Sequence, residues 1–387
     1  MGYYLFTILF FLAIGSHRLV IKQISLYEYG TKFEKIIFLL SALFLCGGYM
    51  TGSDWRTYEL LYYKADWNNL KYYLSEQLFY VLIIVSKYII HDFFIFLIIC
   101  KLLVFYIIYR FFKKYSPNIF LSYFFYIPLF GIFLFIDNPL RYMIALGFIT
   151  LSYKFILSQN FLKFILVVFL GSLFHYTVII FIPFYFLKKI PLSRVLLSII
   201  FIAWMLLFST DHLLYIIDIF SNYIPIINSK FLYYLIKAEE VKQIFSLGLI
   251  INIVFFFWII ANKNQIENNL NHGQFFYSMS IIYLFLTKFS VIFPSGFRFT
   301  YLFAPIFVIT LTFLFSLYRN RLKQIFTWGI VLYIFLFTIK KIDNQYVYTP
   351  YSNYIISIAT DNWHQYSYRE NYNIKRYIDR NGHSPED

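Results

Sequence analysis

The sequence predicts an all-α polytopic integral membrane protein, and three observations carry the prediction. Of the 387 residues, 60% are hydrophobic and only 13% are charged, about half the charge content of a soluble domain. The apolar residues come in long runs, as bilayer-crossing helices require. Much of the Lys and Arg sits in short clusters between those runs, the mark of inward-facing loops. A net charge of +14 would otherwise suit a nucleic-acid partner, but this clustering argues against one.

A span takes about 20 residues, fewer where aromatic and basic anchors flank it. In order, spans are expected near 3–16, 36–50, 93–112, 119–136, 140–157, 161–174, 176–187, 195–209, 244–261, 275–293, 299–318 and 325–339. That makes about 12 transmembrane helices. The first run, Tyr3 to Ile14, has no basic residue before it and no small-residue cleavage site, so it reads as a retained span and not a signal peptide. Orientation follows from four basic clusters: Arg18, Lys22, Lys32 and Lys35; Lys113 and Lys114; Lys188, Lys189 and Arg194; Arg319, Arg321 and Lys323. Placing all four inside puts both termini outside.

The run Leu78 to Ile90 must then start and end outside, which makes it a re-entrant or interfacial helix near 78–90. Such a piece is tolerated where it lines a protein cavity. Loops 51–77 and 210–243 also fall on the outer face. The second interleaves Tyr, Ile and Leu with Asp211, Asp218, Lys230, Lys237 and Glu239, a pattern of amphipathic helices lying in the interface. Residues 1–340 read as one transmembrane domain and 341–387 as a tail on the outer side, although Lys340, Lys341, Arg369, Lys375, Arg376 and Arg380 weigh against that side for the tail. Cys46 and Cys100 lie inside apolar runs, without disulfide or metal-ligand spacing.

The ionisable residues that interrupt this apolar background are the functional candidates, because such groups are costly near hydrocarbon. Gly52-Ser53-Asp54 follows the second span and Glu76 opens the re-entrant helix. Ser53 or Asp54 could cap a short helix. A carboxylate there could also bind a hydroxyl-rich substrate or accept its proton. In Asp137-Asn138-Pro139-Leu140-Arg141, an Asn N-cap and a Pro at the first helical position put Arg141 in the first turn of an inward-running helix.

A cation at that end opposes the helix dipole unless an anion is present, and a diphosphate would satisfy both the guanidinium and the helix N–H groups. The alternatives are an ion pair with Asp137 or stacking on Tyr142. Arg298 repeats the arrangement after the turn Pro294-Ser295-Gly296. Lys288 either adds charge in the outer part of the preceding span or snorkels. His175, in Phe174-His175-Tyr176 at the outer tip of a hairpin, is either a satisfied structural residue or a proton acceptor beside the two arginines. No HExxH, Walker A, GxSxG or dinucleotide-binding turn is present in the sequence.

Taken in order, Gly52-Ser53-Asp54 with Tyr58, Glu76 with Leu78 and Phe79, Arg141 with Ala145, Phe174-His175-Tyr176, Arg298, and Pro350-Tyr351 resemble the EpsG-like branch of the Wzy-type bacterial polysaccharide polymerases. Two positions depart from the pattern: Ser53 stands where the family commonly has Thr, and Gln77 where a Pro often follows the Glu.

The resemblance implies a multi-pass glycosyltransferase of the cell inner membrane with its active site facing the periplasm. It would be an O-antigen-type polymerase, moving a growing glycan from undecaprenyl diphosphate to the non-reducing end of a lipid-linked repeat unit. Under that reading His175, Asp54, Arg141 and Arg298 are catalytic, with the two arginines on the diphosphate and His175 or Asp54 as the base. Glu76, Tyr58, Lys288 and Tyr351 would contact substrate. No metal and no cofactor is expected, since arginines neutralise the diphosphate. The implied partners are undecaprenyl-diphosphate-linked oligosaccharides and the lipid bilayer, with a chain-length regulator and a flippase as further candidates. The rivals are an O-antigen ligase with the same donor, a lipid-linked oligosaccharide flippase or other transporter, and a membrane O-acetyltransferase. A flippase would need polar groups along a path through the membrane, and the candidate charges here fall at one surface.

Overall fold

The structure is a computed structural model that describes residues 30–72, 76–137, 139–208, 215, 247–292, 296–317, 329–330, 332–336, 338–340, 342, 347–348, 351–363 and 366–381. The expected span at 3–16, nearly all of the 210–243 loop and much of the span at 325–339 lie outside these residues. Among the described residues the regular structure is helical, and the one strand-like feature is an isolated antiparallel bridge between Gly48 and Asn353.

In chain order the helices are α1 Gly30–Cys46, α2 Trp55–Lys64, a 3-10 segment Trp67–Tyr72, α3 Gln77–Ile89, α4 Phe93–Tyr115 and α5 Ile119–Tyr126, which continues as a π-helical stretch Ile127–Ile136. Then come α6 Leu140–Leu157, α7 Phe161–Ser172, a 3-10 segment Tyr176–Phe186, α8 Arg194–Leu207, α9 Leu247–Ala261, α10 Lys263–Asn269, α11 Gly273–Ile292, α12 Phe297–Tyr301 and α13 Ala304–Leu317. Two helices of the C-terminal region follow, α14 Tyr354–Thr360 and α15 Tyr366–Asn381.

Among the described residues four helical stretches are long and apolar enough to cross a membrane: Phe93–Tyr115, Ile119–Ile136, Leu140–Leu157 and Gly273–Ile292. The pair α9–α10, bent by 64°, adds a fifth if it is one broken span. Several of the other expected spans are helical but short. The segments Phe161–Ser172, Tyr176–Phe186, Arg194–Leu207 and Ala304–Leu317 have 10–17 residues, as does the expected re-entrant helix Gln77–Ile89. The expected span at 299–318 is broken between α12 and α13. Pro305, near the start of α13, has no N–H to extend the ladder back across that break.

The chain divides into two compact units. One unit comprises Met1–Ser152, Ile165–Ile179 and Phe315–Asp387. Its long helix α4 starts on Asp92, whose side chain accepts from Ile95 N (2.9 Å), and ends on Lys113 and Lys114, which complement the C-terminal dipole. Helix α1 packs along it through Phe38 and Phe105, with ring centroids 5.3 Å apart. Near the start of α1 and the end of α4 Glu34 ties them together: it accepts from the Tyr109 hydroxyl and pairs with Lys113 at 2.9 Å. Lys101 is fully buried on α4, and its Nζ has no hydrogen-bond partner among the described residues.

Asn118 caps α5, accepting from Phe120 N and Leu121 N. Pro128 cannot donate to the carbonyl one turn back, and from there the helix widens, closing with Asp137 N on Ile132 O at 3.4 Å. The C-terminal region belongs to this unit. Asn353 donates to Leu43 O (2.7 Å), while Tyr354 N donates to Gly47 O (2.8 Å), fastening α14 to the end of α1.

The other unit comprises Tyr153–Phe164 and Ile180–Leu314. Its core is aromatic, with Phe201 stacked on Phe256 at 3.5 Å and Tyr283 on Phe307 at 4.1 Å. The Tyr153 hydroxyl donates to the Leu302 carbonyl, and Trp204 Nε1 to Phe285 O at 3.0 Å. Ser280 and Thr310 bond across α11 and α13 at 2.8 Å, so these buried hydroxyls are satisfied.

Candidate active site

The first unit gathers polar side chains from four separate stretches of chain. The loop before α2 is fixed by backbone: Gly52 has φ +86°, and its N donates to Val347 O at 3.0 Å. A side chain at Gly52 would meet the Ile136 carbonyl and the Cα of Asp137, so glycine serves here both the positive φ and the close approach. The next amide, Ser53 N, donates to Asp137 Oδ1 at 2.9 Å, and Ser53 Oγ donates to Asp54 Oδ1 at 3.1 Å. Asp54 sits at the N-cap of α2 but makes no side-chain cap bond, so the capping explanation for this carboxylate does not hold. One turn on, α2 carries Tyr58, which is buried.

Glu76 stands at the start of α3 with φ 153°, a backbone region that costs a residue with a side chain about 1–3 kcal/mol and needs surrounding contacts to hold it. Among the described residues two side chains supply Glu76 with such contacts. Its Oε2 forms an ion pair with Arg141 Nη1, and its Oε1 lies 2.5 Å from His175 Nδ1. Arg141, in the first turn of α6, also donates from Nε to the Tyr58 hydroxyl at 3.4 Å, with its guanidinium 5.9 Å from the centre of that ring.

Both alternatives open to Arg141 from sequence are therefore replaced. Asp137 takes the Ser53 amide, and Tyr142 turns its ring edgewise to His175 at 5.5 Å. Residue 138, expected as the N-cap of α6, lies outside the described residues; Met143 N bonds to Pro139 O at 2.8 Å in the helix's first turn. His175 occupies the turn between α7 and the following 3-10 segment, its backbone N on Gly171 O at 3.1 Å.

Burial alone would raise the Glu76 carboxyl. The His175 hydrogen bond and the Arg141 charge outweigh it and bring the group below its ordinary value of 4.5, so Glu76 is an anion at neutral pH. The Tyr58 hydroxyl moves the other way: burial raises it, Asp54 adds to the rise, and Arg141 opposes it. Tyr58 therefore keeps its proton. Glu76 and His175 are buried, 6% and 7% exposed, whereas the Arg141 side chain is 39% exposed. Arg141 is thus the most exposed of the three.

Of the predicted site residues, Tyr58, Glu76, Arg141 and His175 meet in this network, and Asp54 borders it through its charge on Tyr58. Tyr351 is engaged elsewhere in the same unit: its hydroxyl donates to Phe44 O at 2.5 Å and accepts from Asn353 at 3.1 Å. Arg298 and Lys288 belong to the other unit. Arg298 is partly exposed, with its guanidinium 5.8 Å from the Phe297 ring, and Lys288 is buried on α11 and not snorkelling outward. Asp137 and Asn353 were missed as organisers of this region. The acceptor role of Asp137 toward Ser53 spans 84 positions, beyond any local pattern. Among the described residues no group of three His, Cys, Asp or Glu side chains is placed to hold a metal ion.

Compared with known proteins, the chain matches the EpsG family model over residues 33–355. No curated protein and no solved structure matches it.

Proposed function

Since the chain belongs to the EpsG family, whose members point to polymerase-type polysaccharide biosynthesis in a membrane, we propose that it is a Wzy-type glycosyltransferase of the bacterial inner membrane. It lengthens a glycan carried on undecaprenyl diphosphate at the periplasmic face. An acceptor hydroxyl on the non-reducing end of a lipid-linked repeat unit attacks the anomeric carbon of the donor glycan. The new C–O bond forms as the bond from that carbon to the diphosphate oxygen breaks, the electron pair leaves with the diphosphate, and a base takes the hydroxyl proton.

The observation that carries this reading is the state of Arg141. A guanidinium has five N–H donors. Here one N–H from Nε goes to Tyr58 and one from Nη1 to Glu76, which leaves three without a partner among the described residues, on a side chain that is 39% exposed. A fixed, partly exposed guanidinium fork with spare donors suits a diphosphate whose charge grows as it leaves. His175 and Asp54 are the candidate bases. Arg298 as a second diphosphate ligand, and Lys288 and Tyr351 as substrate contacts, rest on the sequence pattern.

The test is a polymer ladder. Wild type, Arg141→Ala, His175→Ala and Arg298→Ala are expressed in cells lacking their own polymerase, and surface glycan is resolved by gel. A ladder from wild type that collapses to single repeat units in the variants, at unchanged protein level, supports the reading. Transfer or export of single units without lengthening would instead favour the ligase or the flippase.

A further inference from the structure

Glu76 uses both carboxylate oxygens on other side chains of the protein, Oε1 on His175 Nδ1 and Oε2 on Arg141 Nη1, and is 6% exposed. Both oxygens are therefore already engaged within the protein. An ionised carboxylate only accepts hydrogen bonds, so the hydrogen of the 2.5 Å contact belongs to Nδ1 of the imidazole. A neutral histidine carries one ring hydrogen; with it on Nδ1, the lone pair is left on Nε2. The ring is held by the edge of Tyr142 at 5.5 Å, the neighbouring ring of Tyr176 at 5.4 Å and the backbone bond to Gly171.

We propose that Glu76 is a positioning residue that fixes His175 in the Nδ1–H tautomer, so that Nε2 is the base for the acceptor hydroxyl, while its second oxygen sets the Arg141 fork for the departing diphosphate. This inference rests on the polymerase reading above. One buried carboxylate thereby couples the two halves of the reaction. The hydroxyl proton passes to Nε2 as the acceptor oxygen bonds to the anomeric carbon, and the resulting imidazolium is stabilised by the Glu76 anion before it returns the proton to water. The charged and titratable groups facing His175 include Glu76, Arg141 through Glu76, Tyr142 and Tyr176. Asp54 is tied to Ser53 and acts on Tyr58.

The experiment has two arms, both on the full-length protein in detergent. In the first, extension of a synthetic lipid-linked repeat unit is followed against pH for wild type, Glu76→Gln and Glu76→Asp. Removing the anion makes the imidazolium harder to form, so Glu76→Gln should move the acid limb of kcat to lower pH by about one unit and lower kcat by about 10- to 100-fold. Glu76→Asp should restore the position of the limb. In the second arm, nitrogen NMR of labelled histidines, with His175→Asn to identify the signal, should show Nδ1 protonated and Nε2 bare.

An unmoved acid limb with only the acceptor KM raised would overturn the proposal, as would a His175 protonated on Nε2. A wild type that makes no polymer sinks the polymerase reading separately. The NMR arm still reads the dyad in that case, and it also serves if Glu76→Gln fails to fold.

Discussion

Arg141 shows how much a single side chain is asked to do. It meets Glu76 and Tyr58 from two of its nitrogens and has further donors without a partner among the described residues. A lysine has one compact ammonium and cannot reproduce that fork. Arg141→Lys should therefore lower kcat/KM by about 100-fold, or about 2.7 kcal/mol, with protein yield unchanged, measured on a synthetic lipid-linked acceptor. Glu76 supplies a pH prediction. Its carboxyl is lowered in the folded protein from an ordinary 4.5, so its stabilising contribution is complete above that value and is lost as pH falls through the lowered one. Melting temperature in detergent should drop on acidification below 4.5, and Glu76→Gln should flatten that drop; an unchanged slope would remove Glu76 as the cause. Each residue of the network stands out in the sequence as a polar group in apolar surroundings. Their pairing does not, because Glu76 is 65 positions from Arg141 and 99 from His175. Local spacing offers Arg141 only its neighbours Asp137 and Tyr142.

At the scale of elements, the loop Gly52–Asp54 depends on the chain that passes it. Gly52→Ala puts a methyl group against Ile136 and Asp137 in a positive-φ turn, so it should cost about 1–3 kcal/mol and show as a lower melting temperature and reduced polymer. Asn353 is a second junction. It caps α14 by accepting from Ile355 N and Ile356 N and also donates to Leu43 O. Asn353→Ala should cost about 1–2 kcal/mol in thermal unfolding while leaving the pH profile of the reaction in place. Helix bounds were legible where apolar runs end in strong punctuation: 119–136 and 140–157 coincide with the observed stretches. The π-helical widening after Pro128 and the break before Pro305 were not read as such, although a proline marks each. Hydropathy reports how apolar a run is and is blind to which backbone ladder it adopts. Several of the expected spans are observed as apolar helices of 10–17 residues.

For the molecule as a whole, the EpsG family match supports polysaccharide biosynthesis in a membrane, and the proposed topology can be tested without any activity. Cys46 and Cys100 are buried, so wild type should be silent to an impermeant thiol reagent. Thr57→Cys, on the exposed side of α2, should label in intact spheroplasts, and Lys114→Cys only after permeabilisation; the reverse pattern would invert the orientation read from the basic clusters. The most direct measurement of the central claim is extension by the purified protein: wild type or Arg141→Ala is mixed with a synthetic undecaprenyl-diphosphate-linked repeat unit and the products are resolved by mass. The account predicts products of two, three and more repeats from wild type, with free undecaprenyl diphosphate released in step, and only unextended substrate from Arg141→Ala. A wild type that leaves the repeat unit unextended, or an Arg141→Ala variant that extends it at the wild-type rate, would contradict it.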